Sequence, residues 1–345
     1  MKTALITGVN GQDGAFLASQ LIDCGYVVIG TFRRGSDVKG GRLKALSIVD
    51  RITLIPLEIT DFSNVVSVLL EHKPDMIFNL AAQSFVQDSF RHPTLTTQIN
   101  YLGPLNFLES IRLLQLETAF FQASSSEIFG NSINEVQNEE TPLKPLNPYA
   151  ISKCAAHQLV GSYREAYGIN ASSGILFNHE SELRGREFVT RKIASQLAEM
   201  ARGRVTPIEL GNLDACRDWG YARDYTKGMQ LVAESTNCGD YVFATNTTTS
   251  VREFFTACAR AAGFNPQFEG DGLDEKCFDF DSGKILCQVN KSFFRPVDVL
   301  TPRGDSNKMF KAFGWKPSTS IESMAELMVK YDLDLMKDNQ VKFSV

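Results

Sequence analysis

The stretch "MKTALITGVNGQDGAFLASQL" at residues 1–21 decides how the rest of the chain is read. An apolar run, TALIT at 3–7, ends in glycines at 8, 11 and 14 and passes straight into a helical pattern. A helix start presents unpaired N–H groups and a partial positive charge, which suit phosphate. Gly8 would make the tight turn after the strand. Gly11 would let the backbone approach a pyrophosphate, and Gly14 would let the helix pack closely on a sheet. The spacing is GxxGxxG rather than GxGxxG. Its meaning therefore comes from context: a strand before, a helix after, and a second strand where one βαβ unit puts it. That context points to a bound dinucleotide.

Six further β-rich runs follow: VVIGTF at 27–32, ITLIPLE at 52–58, MIFNLA at 76–81, AFFQASS at 119–125, ASSGILF at 171–177 and YVFATN at 241–246. Most are separated by helical patterns. Near-continuous apolar strands alternating with helices predict an α/β fold, a Rossmann-type doubly wound parallel sheet covered on both faces. After residue 177 the rhythm changes. One helix is expected in FVTRKIASQLAEMARG at 188–203 and a last one in SIESMAELMVKYDLDLM at 320–336, and residues 265–306 are rich in Gly, Asp and Phe. The expected organisation is a cofactor-binding domain over 1–177, with a return strand near 240–246. A smaller mixed α/β lobe over 178–345, interleaved with it, would bind substrate.

The chain has 345 residues, 43% hydrophobic composition and a net charge of −5. No long basic run appears, so nucleic acid and anionic membrane are poor partners. The N-terminus has no leader pattern, and no apolar stretch approaches the ~20 residues of a membrane span. Seven scattered cysteines without a CxxC pair read as free thiols in a reducing, cytoplasmic compartment. Four histidines at 72, 92, 157 and 179 have no metal-ligand spacing, and no metal is expected.

The second strand ends in TFRRGSD at 31–37. Arg33 and Arg34 stand where an NAD site usually carries an acid for the ribose. A guanidinium fork suits a 2′-phosphate, so NADP is expected over NAD. Two solvated loop arginines are the alternative. In NPYAISK at 147–153, Tyr149 and Lys153 are four apart and share a helix face. The ammonium would lower the phenol's pKa and let it exchange a proton near neutral pH. QASSSEIFG at 122–130 closes the fifth strand, where open α/β sheets carry their chemistry. Ser125 and Glu127 are two apart and would point the same way if the segment were extended. Ser125 could hydrogen-bond a substrate alcohol. Glu127 would add an acid/base that hydride transfer alone does not need. Otherwise the serines serve a turn and the glutamate is a solvated charge.

These residues resemble the extended short-chain dehydrogenase/reductase superfamily and, within it, the GDP-mannose 4,6-dehydratase family. The resemblance runs through TGVNGQDG at 7–14, NLAAQSFV at 79–86, QASSSEIFG at 122–130, GILFNHES at 174–181, FVTRKI at 188–193, LGNLDACRDWGYARDY at 210–225 and FFRPVDV at 293–299. It implies NADP over Gly8, Gly11, Gln12, Asp13 and Gly14, with Arg33 and Arg34 near the 2′-phosphate. Glu58, Ile59, Leu80, Ala82, Tyr149, Lys153 and Arg184 would complete the cofactor contacts. Ser125, Glu127, Tyr149 and Lys153 would be catalytic, and Ser84, Asn178, Lys192, Arg217, Arg295 and Asp298 would bind the GDP-sugar. It also implies a homo-tetramer or homo-dimer in which the segment 182–190 reaches a neighbouring subunit's cofactor.

The chain departs from the family pattern at Leu183, where a paired arginine is common, and at Glu58 in EITD. It also departs at Ser125 in place of Thr, and in TPLKPLNPY before the catalytic tyrosine. The implied reaction turns GDP-mannose into GDP-4-keto-6-deoxy-mannose. Alternatives on the same residues are a dehydratase for a GDP-manno-heptose, a GDP-4-keto-sugar reductase or a 4-epimerase. A non-catalytic NADP-binding regulator would not need the Ser–Glu–Tyr–Lys set.

Overall fold

All seven β-rich runs form strands of one sheet in the computed structural model, which describes residues 1–36, 41–130, 132, 136–293 and 303–342, with side chains to 337. They are β1 (Thr3–Thr7), β2 (Val27–Phe32), β3 (Thr53–Pro56), β4 (Met76–Asn79), β5 (Ala119–Ala123) and β6 (Ala171–Leu176), then, beyond β7 (Ile208–Leu210) of a second sheet, β8 (Asp240–Phe243). The order across the sheet is β8-β6-β5-β4-β1-β2-β3, and every pairing is parallel. β4, β5 and β6 are buried along their whole length, as a parallel sheet covered on both faces requires. The chain runs outward from β1 to β3 and restarts on the other side at β4. β1 and β4 therefore flank the point where the winding reverses, which is where such sheets bind ligands.

Several runs stop short of their expected ends. β4 ends at Asn79 and β5 at Ala123. The amides of Leu80 and Ala81 turn instead to the Thr7 hydroxyl, at 3.0 and 2.9 Å. A side-chain acceptor thus replaces the next rung of the ladder, and the chain turns off into a loop.

The helices are α1 (Gln12–Asp23), α2 (Gly41–Ala45), α3 (Phe62–His72), α4 (Val86–Arg91), α5 (Pro93–Thr97), α6 (Gly103–Leu114), α7 (Pro148–Tyr167), α8 (Val189–Ala201), α9 (Ala222–Glu234), α10 (Val251–Ala261), α11 (Asn307–Phe313) and α12 (Ile321–Lys342). A π-turn, Gln98–Leu102, joins α5 to α6. The chain divides into two units. The first holds Met1–Phe177, Ala222–Ala244 and Gly304–Lys316. Its core on one sheet face includes Leu5, Ile77, Phe107, Phe120 and Val160. Phe121 packs against Phe78 and Phe243.

The second unit holds Asn178–Tyr221, Thr245–Arg303 and Pro317–Val345. β9 (Pro266–Glu269), β10 (Lys276–Asp279) and β11 (Ile285–Val289) pair antiparallel, and β11 pairs with β7 in parallel. α8, α10 and α12 pack together over a core that includes Ile193, Leu197, Phe254, Phe255, Met324 and Met328. Among the described residues no helix is long and apolar enough to cross a membrane, and no three His, Cys, Asp or Glu side chains cluster as metal ligands.

Candidate active site

The carboxyl ends of the central strands carry a buried polar row. Thr7, Asn79 and Gln122 lie in register on β1, β4 and β5. The Thr7 hydroxyl donates to Asn79 Oδ1 at 2.8 Å, and Asn79 Nδ2 donates to Gln122 Oε1 at 2.8 Å. Gln122 Nε2 continues to the Ala123 carbonyl at 3.0 Å, which also accepts from Lys153 Nζ at 2.8 Å. One hydrogen-bonded line thus connects the strand before the glycine turn to the lysine of α7. Each member is satisfied by the next, as buried polar groups must be.

The glycine turn fits a phosphate cradle. Gly8 has φ +66°, and a Cβ there would lie 2.9 Å from Ala81 Cα. A Cβ on Gly14 would lie 2.5 Å from the Gly8 carbonyl. Only glycine allows the loop to close this tightly. Gly11 donates its N–H to the Gly8 carbonyl at 2.9 Å and starts α1 with no side-chain cap, an arrangement in which a phosphate oxygen can take the capping role. Gln12 is buried and donates to Asp13 Oδ1 at 3.1 Å. Arg42, which the sequence reading did not single out, donates to the Asn10 carbonyl at 3.0 Å and braces the loop from α2.

Arg33 and Arg34 are exposed just beyond β2. Glu58 Oε1 accepts from the amide and hydroxyl of Thr60, at 3.2 and 2.8 Å. Ile59 is buried, and its carbonyl accepts from Asn106 Nδ2 at 2.8 Å. Leu80, Ala82 and the exposed Ser84 line the loop after β4.

α7 brings the candidate catalytic residues to the end of β5. Asn147 caps it, accepting from Ala150 N at 2.8 Å, and Pro148 occupies the first turn. Tyr149 is 9% exposed and Lys153 3%. Burial pulls the Lys153 ammonium down from 10.5 to about 8, opposed by the charge of Asp13. Lys153 is thus still a cation at neutral pH. Asn100, in the π-turn, fastens the helix in place. Its side chain accepts from Gln83 N at 2.9 Å, and donates to the Gln83 carbonyl and to Ser152 Oγ, both at 3.1 Å.

The segment bearing Ser125 and Glu127 is not extended, contrary to the sequence expectation. Ser125 alone is extended (φ −149°, ψ 145°), and Ser126–Phe129 form a 3₁₀ turn. The cause is the Ser125 hydroxyl, which accepts from Glu127 N at 3.3 Å and caps the turn. Ser125 is therefore buried while Glu127 is exposed, its carboxylate accepting from Asn147 Nδ2 at 3.2 Å.

In the second unit, Asn178 is exposed and its carbonyl accepts from Gly220 N at 2.9 Å. Lys192 Nζ donates to the Glu209 carbonyl at 2.6 Å and lies 4.6 Å from the centre of the Phe293 ring, with burial lowering its pKa. Arg217 donates to the Cys216 carbonyl at 2.6 Å. Arg184 pairs with the buried Glu180 at 3.3 Å and stacks on Phe188 at 3.6 Å. Arg295 and Asp298 lie outside the described residues.

The strand order, the glycine turn and the Tyr149–Lys153 helix define a Rossmann-fold protein of the short-chain dehydrogenase/reductase type. Solved structures share that fold. A dTDP-glucose 4,6-dehydratase from Bacillus anthracis, in complex with NAD, superposes with a TM-score of 0.77 at 18% identity, covering 99% of this chain and 98% of its own. The Pseudomonas aeruginosa protein RMD, complexed with NADPH, gives 0.75 at 22% identity over 97% of this chain and 100% of its own. In sequence, the GDP-mannose 4,6 dehydratase family matches residues 5–328. The GDP-mannose 4,6-dehydratase of Sinorhizobium fredii (strain HH103) is 43% identical over 97% of this chain and 98% of that relative. The chain belongs to the GDP-mannose 4,6-dehydratase family and is a dehydratase, a hydro-lyase.

Proposed function

We propose that this dehydratase converts GDP-mannose to GDP-4-keto-6-deoxy-mannose, using NADP that is regenerated in each turnover. The observation that carries the reading is the hydrogen bond from Asn147, the residue that starts α7, to the Glu127 carboxylate. It ties a second acid/base to the helix that bears Tyr149 and Lys153. The cradle formed by Gly8, Gly11 and Gly14 would hold the pyrophosphate. Glu58, Ile59, Leu80 and Ala82 would flank the nucleoside portions.

Bound there, the cofactor would take a hydride from the sugar C4 and return it at C6. Lys153, as a buried cation, stabilises the Tyr149 phenolate, which takes the C4 hydroxyl proton. The Ser125 hydroxyl accepts from Glu127 N and keeps its own proton to donate to the sugar oxygen. A ketone at C4 acidifies the C5 hydrogen. Glu127 takes that proton and hands it to the C6 hydroxyl, which leaves as water and gives a C5–C6 double bond. With the hydride returned at C6, Tyr149 gives C5 the proton it took from the C4 hydroxyl, and both side chains regain their starting state. Asn178, Lys192 and Arg217, with Ser84, Arg295 and Asp298, would hold the GDP-sugar.

Glu127→Gln keeps the shape of the side chain and removes its basicity. Mixed with GDP-mannose, it should still develop the absorbance of bound NADPH. Loss of water, read by mass analysis of the nucleotide sugar, should slow by roughly 10²–10⁴-fold. Dehydration at the normal rate would remove Glu127 from the mechanism.

The preference for NADP rests on Arg33 and Arg34, which are exposed and have no side-chain partner among the described residues. Replacing both by Ala should weaken NADP far more than NAD in equilibrium titrations, and equal losses count against the assignment. A homo-tetramer or homo-dimer is supported by apolar side chains left exposed on the first unit, among them Phe90, Leu113 and Ile151. With the segment 182–190 lending Arg184 to a neighbour, NADP occupancy should fall on dilution and in Arg184→Ala. Full occupancy in a species that sediments as a monomer contradicts this.

A further inference from the structure

We infer that Asn147 is a positioning residue for Glu127: a single amide starts the catalytic helix and aims the carboxylate. The inference rests on the reading of Glu127 as the base at C5. The amide has one acceptor end and one donor end. Its oxygen is fixed by Ala150 N at 2.8 Å, because a helix N–H can only donate. The NH₂ end must then face Glu127 Oε2, which it reaches at 3.2 Å. Turning the amide over would set oxygen against carboxylate and NH₂ against N–H, losing both bonds. The cap therefore fixes the direction of the donor.

The backbone beneath Glu127 is tied to the same stretch. Lys144 N donates to the Ile128 carbonyl at 2.9 Å, and Gly130 N closes the turn on the Glu127 carbonyl at 3.1 Å. The carboxylate is exposed, and without a partner it would spread over several rotamers. Held by Asn147, it keeps one direction, and a base already in place reacts faster than one that must find its place.

The identity of residue 147 follows from this double duty. Asn, Asp, Ser and Thr are all good helix caps. Ser and Thr are too short to extend a second group to Glu127. Asp would meet it with like charge. Among the strong caps only Asn can do both.

The test uses the full-length protein with NADP, GDP-mannose as the probe, and the variants Asn147→Ser and Asn147→Asp. Both keep a cap, so thermal unfolding should be unchanged. In Asn147→Ser, bound NADPH should form at the wild-type rate. Exchange of the C5 hydrogen with deuterated solvent, and dehydration with it, should slow about tenfold, the loss typical of a hydrogen bond to a charged group. In Asn147→Asp, the acid limb of the pH profile for C5 exchange should move to higher pH, because a second carboxylate disfavours ionisation of the first.

Unchanged C5 exchange in the Ser variant with an unmoved profile in the Asp variant overturns the inference. So does equal slowing of NADPH formation and C5 exchange, which would mark a purely structural cap. The Glu127→Gln control separates the two readings. If it dehydrates normally, both fall. If it stalls while the Asn147 variants behave as wild type, only the role of Asn147 falls.

Discussion

Lys153 and Arg191 are both buried, at 3% and 4% exposure, one in each unit, and their charges are compensated to different degrees. Arg191, on α8, forms a two-pronged ion pair with Asp332 on α12, itself 1% exposed, with one contact at 2.6 Å. Lys153 has a backbone carbonyl and no carboxylate within ion-pair distance among the described residues. Burial pulls its pKa to about 8, opposed by the charge of Asp13. A cation that only holds two helices together is fully neutralised. Under the proposed mechanism, the field of Lys153 would have to reach the phenol four residues earlier, and a carboxylate paired with it directly would cancel that field. Lys153 has only the charge of Asp13 to offset its burial.

The largest effect should come from breaking the compensated pair. Asp332→Asn leaves the Arg191 guanidinium buried without its counter-charge, and stability in urea should fall by about 3–5 kcal/mol. Replacing both partners by apolar residues of similar volume should recover most of that loss. If Asp332→Asn is no less stable than wild type, the pair is not what fastens α8 to α12.

Lys153→Met should act in the opposite direction. Removing an under-compensated buried cation should raise stability at pH 7 by about 1–3 kcal/mol, while C4 oxidation is lost. The folded pKa of about 8 lies below the ordinary 10.5. Between those values the unfolded chain binds more protons, so the wild type gains stability as pH rises. The advantage of Lys153→Met should therefore shrink from pH 8 to pH 10.5 and be constant below. A less stable variant at pH 7, or a gap that ignores pH, would mean that Lys153 is better compensated than its contacts indicate.

The two cations also mark what a sequence can and cannot disclose. The sheet was legible because its signal is local: TALIT, the glycines and the helical pattern after them lie within 21 residues, and each later strand announces itself by its own apolar run. Tyr149 and Lys153 were legible for the same reason, as an i, i+4 pair. Contacts set by strand register or helix packing left no such trace. Asn79 and Gln122 are 43 residues apart, and Arg191 and Asp332 are 141 apart. A serine run does not disclose that the Ser125 hydroxyl caps the next turn and bends the chain into a 3₁₀ turn, so the pattern alone suggests an extended strand end at Glu127. Asn147 stood in the quoted NPYAISK and has the residue type of a cap before Pro. Its second bond, to Glu127, depends on where β5 ends beside α7.

The smallest effect separates the two capped helices. In the second unit Ser250 and Glu253 form a reciprocal capping box on α10, with Glu253 N donating to Ser250 Oγ at 3.1 Å and Ser250 N donating to Glu253 Oε2 at 2.7 Å. The Ser250 backbone N–H holds the Glu253 carboxyl below its usual range, so this support is present at neutral pH and lost as pH falls through that lowered value. The two capping bonds stay within the first turn of α10, although the Ser250 backbone also pairs with Cys216. Ser250→Ala should lower stability by about 1 kcal/mol, read from denaturant unfolding, and leave C5 exchange at the wild-type rate. Asn147→Ser should do the reverse, sparing stability and slowing exchange, because it replaces one cap by another and removes only the bond to Glu127. If Ser250→Ala slows C5 exchange as much as Asn147→Ser does, a general loosening of the fold accounts for both, and the distinction between a cap that holds a helix and a cap that aims a base disappears.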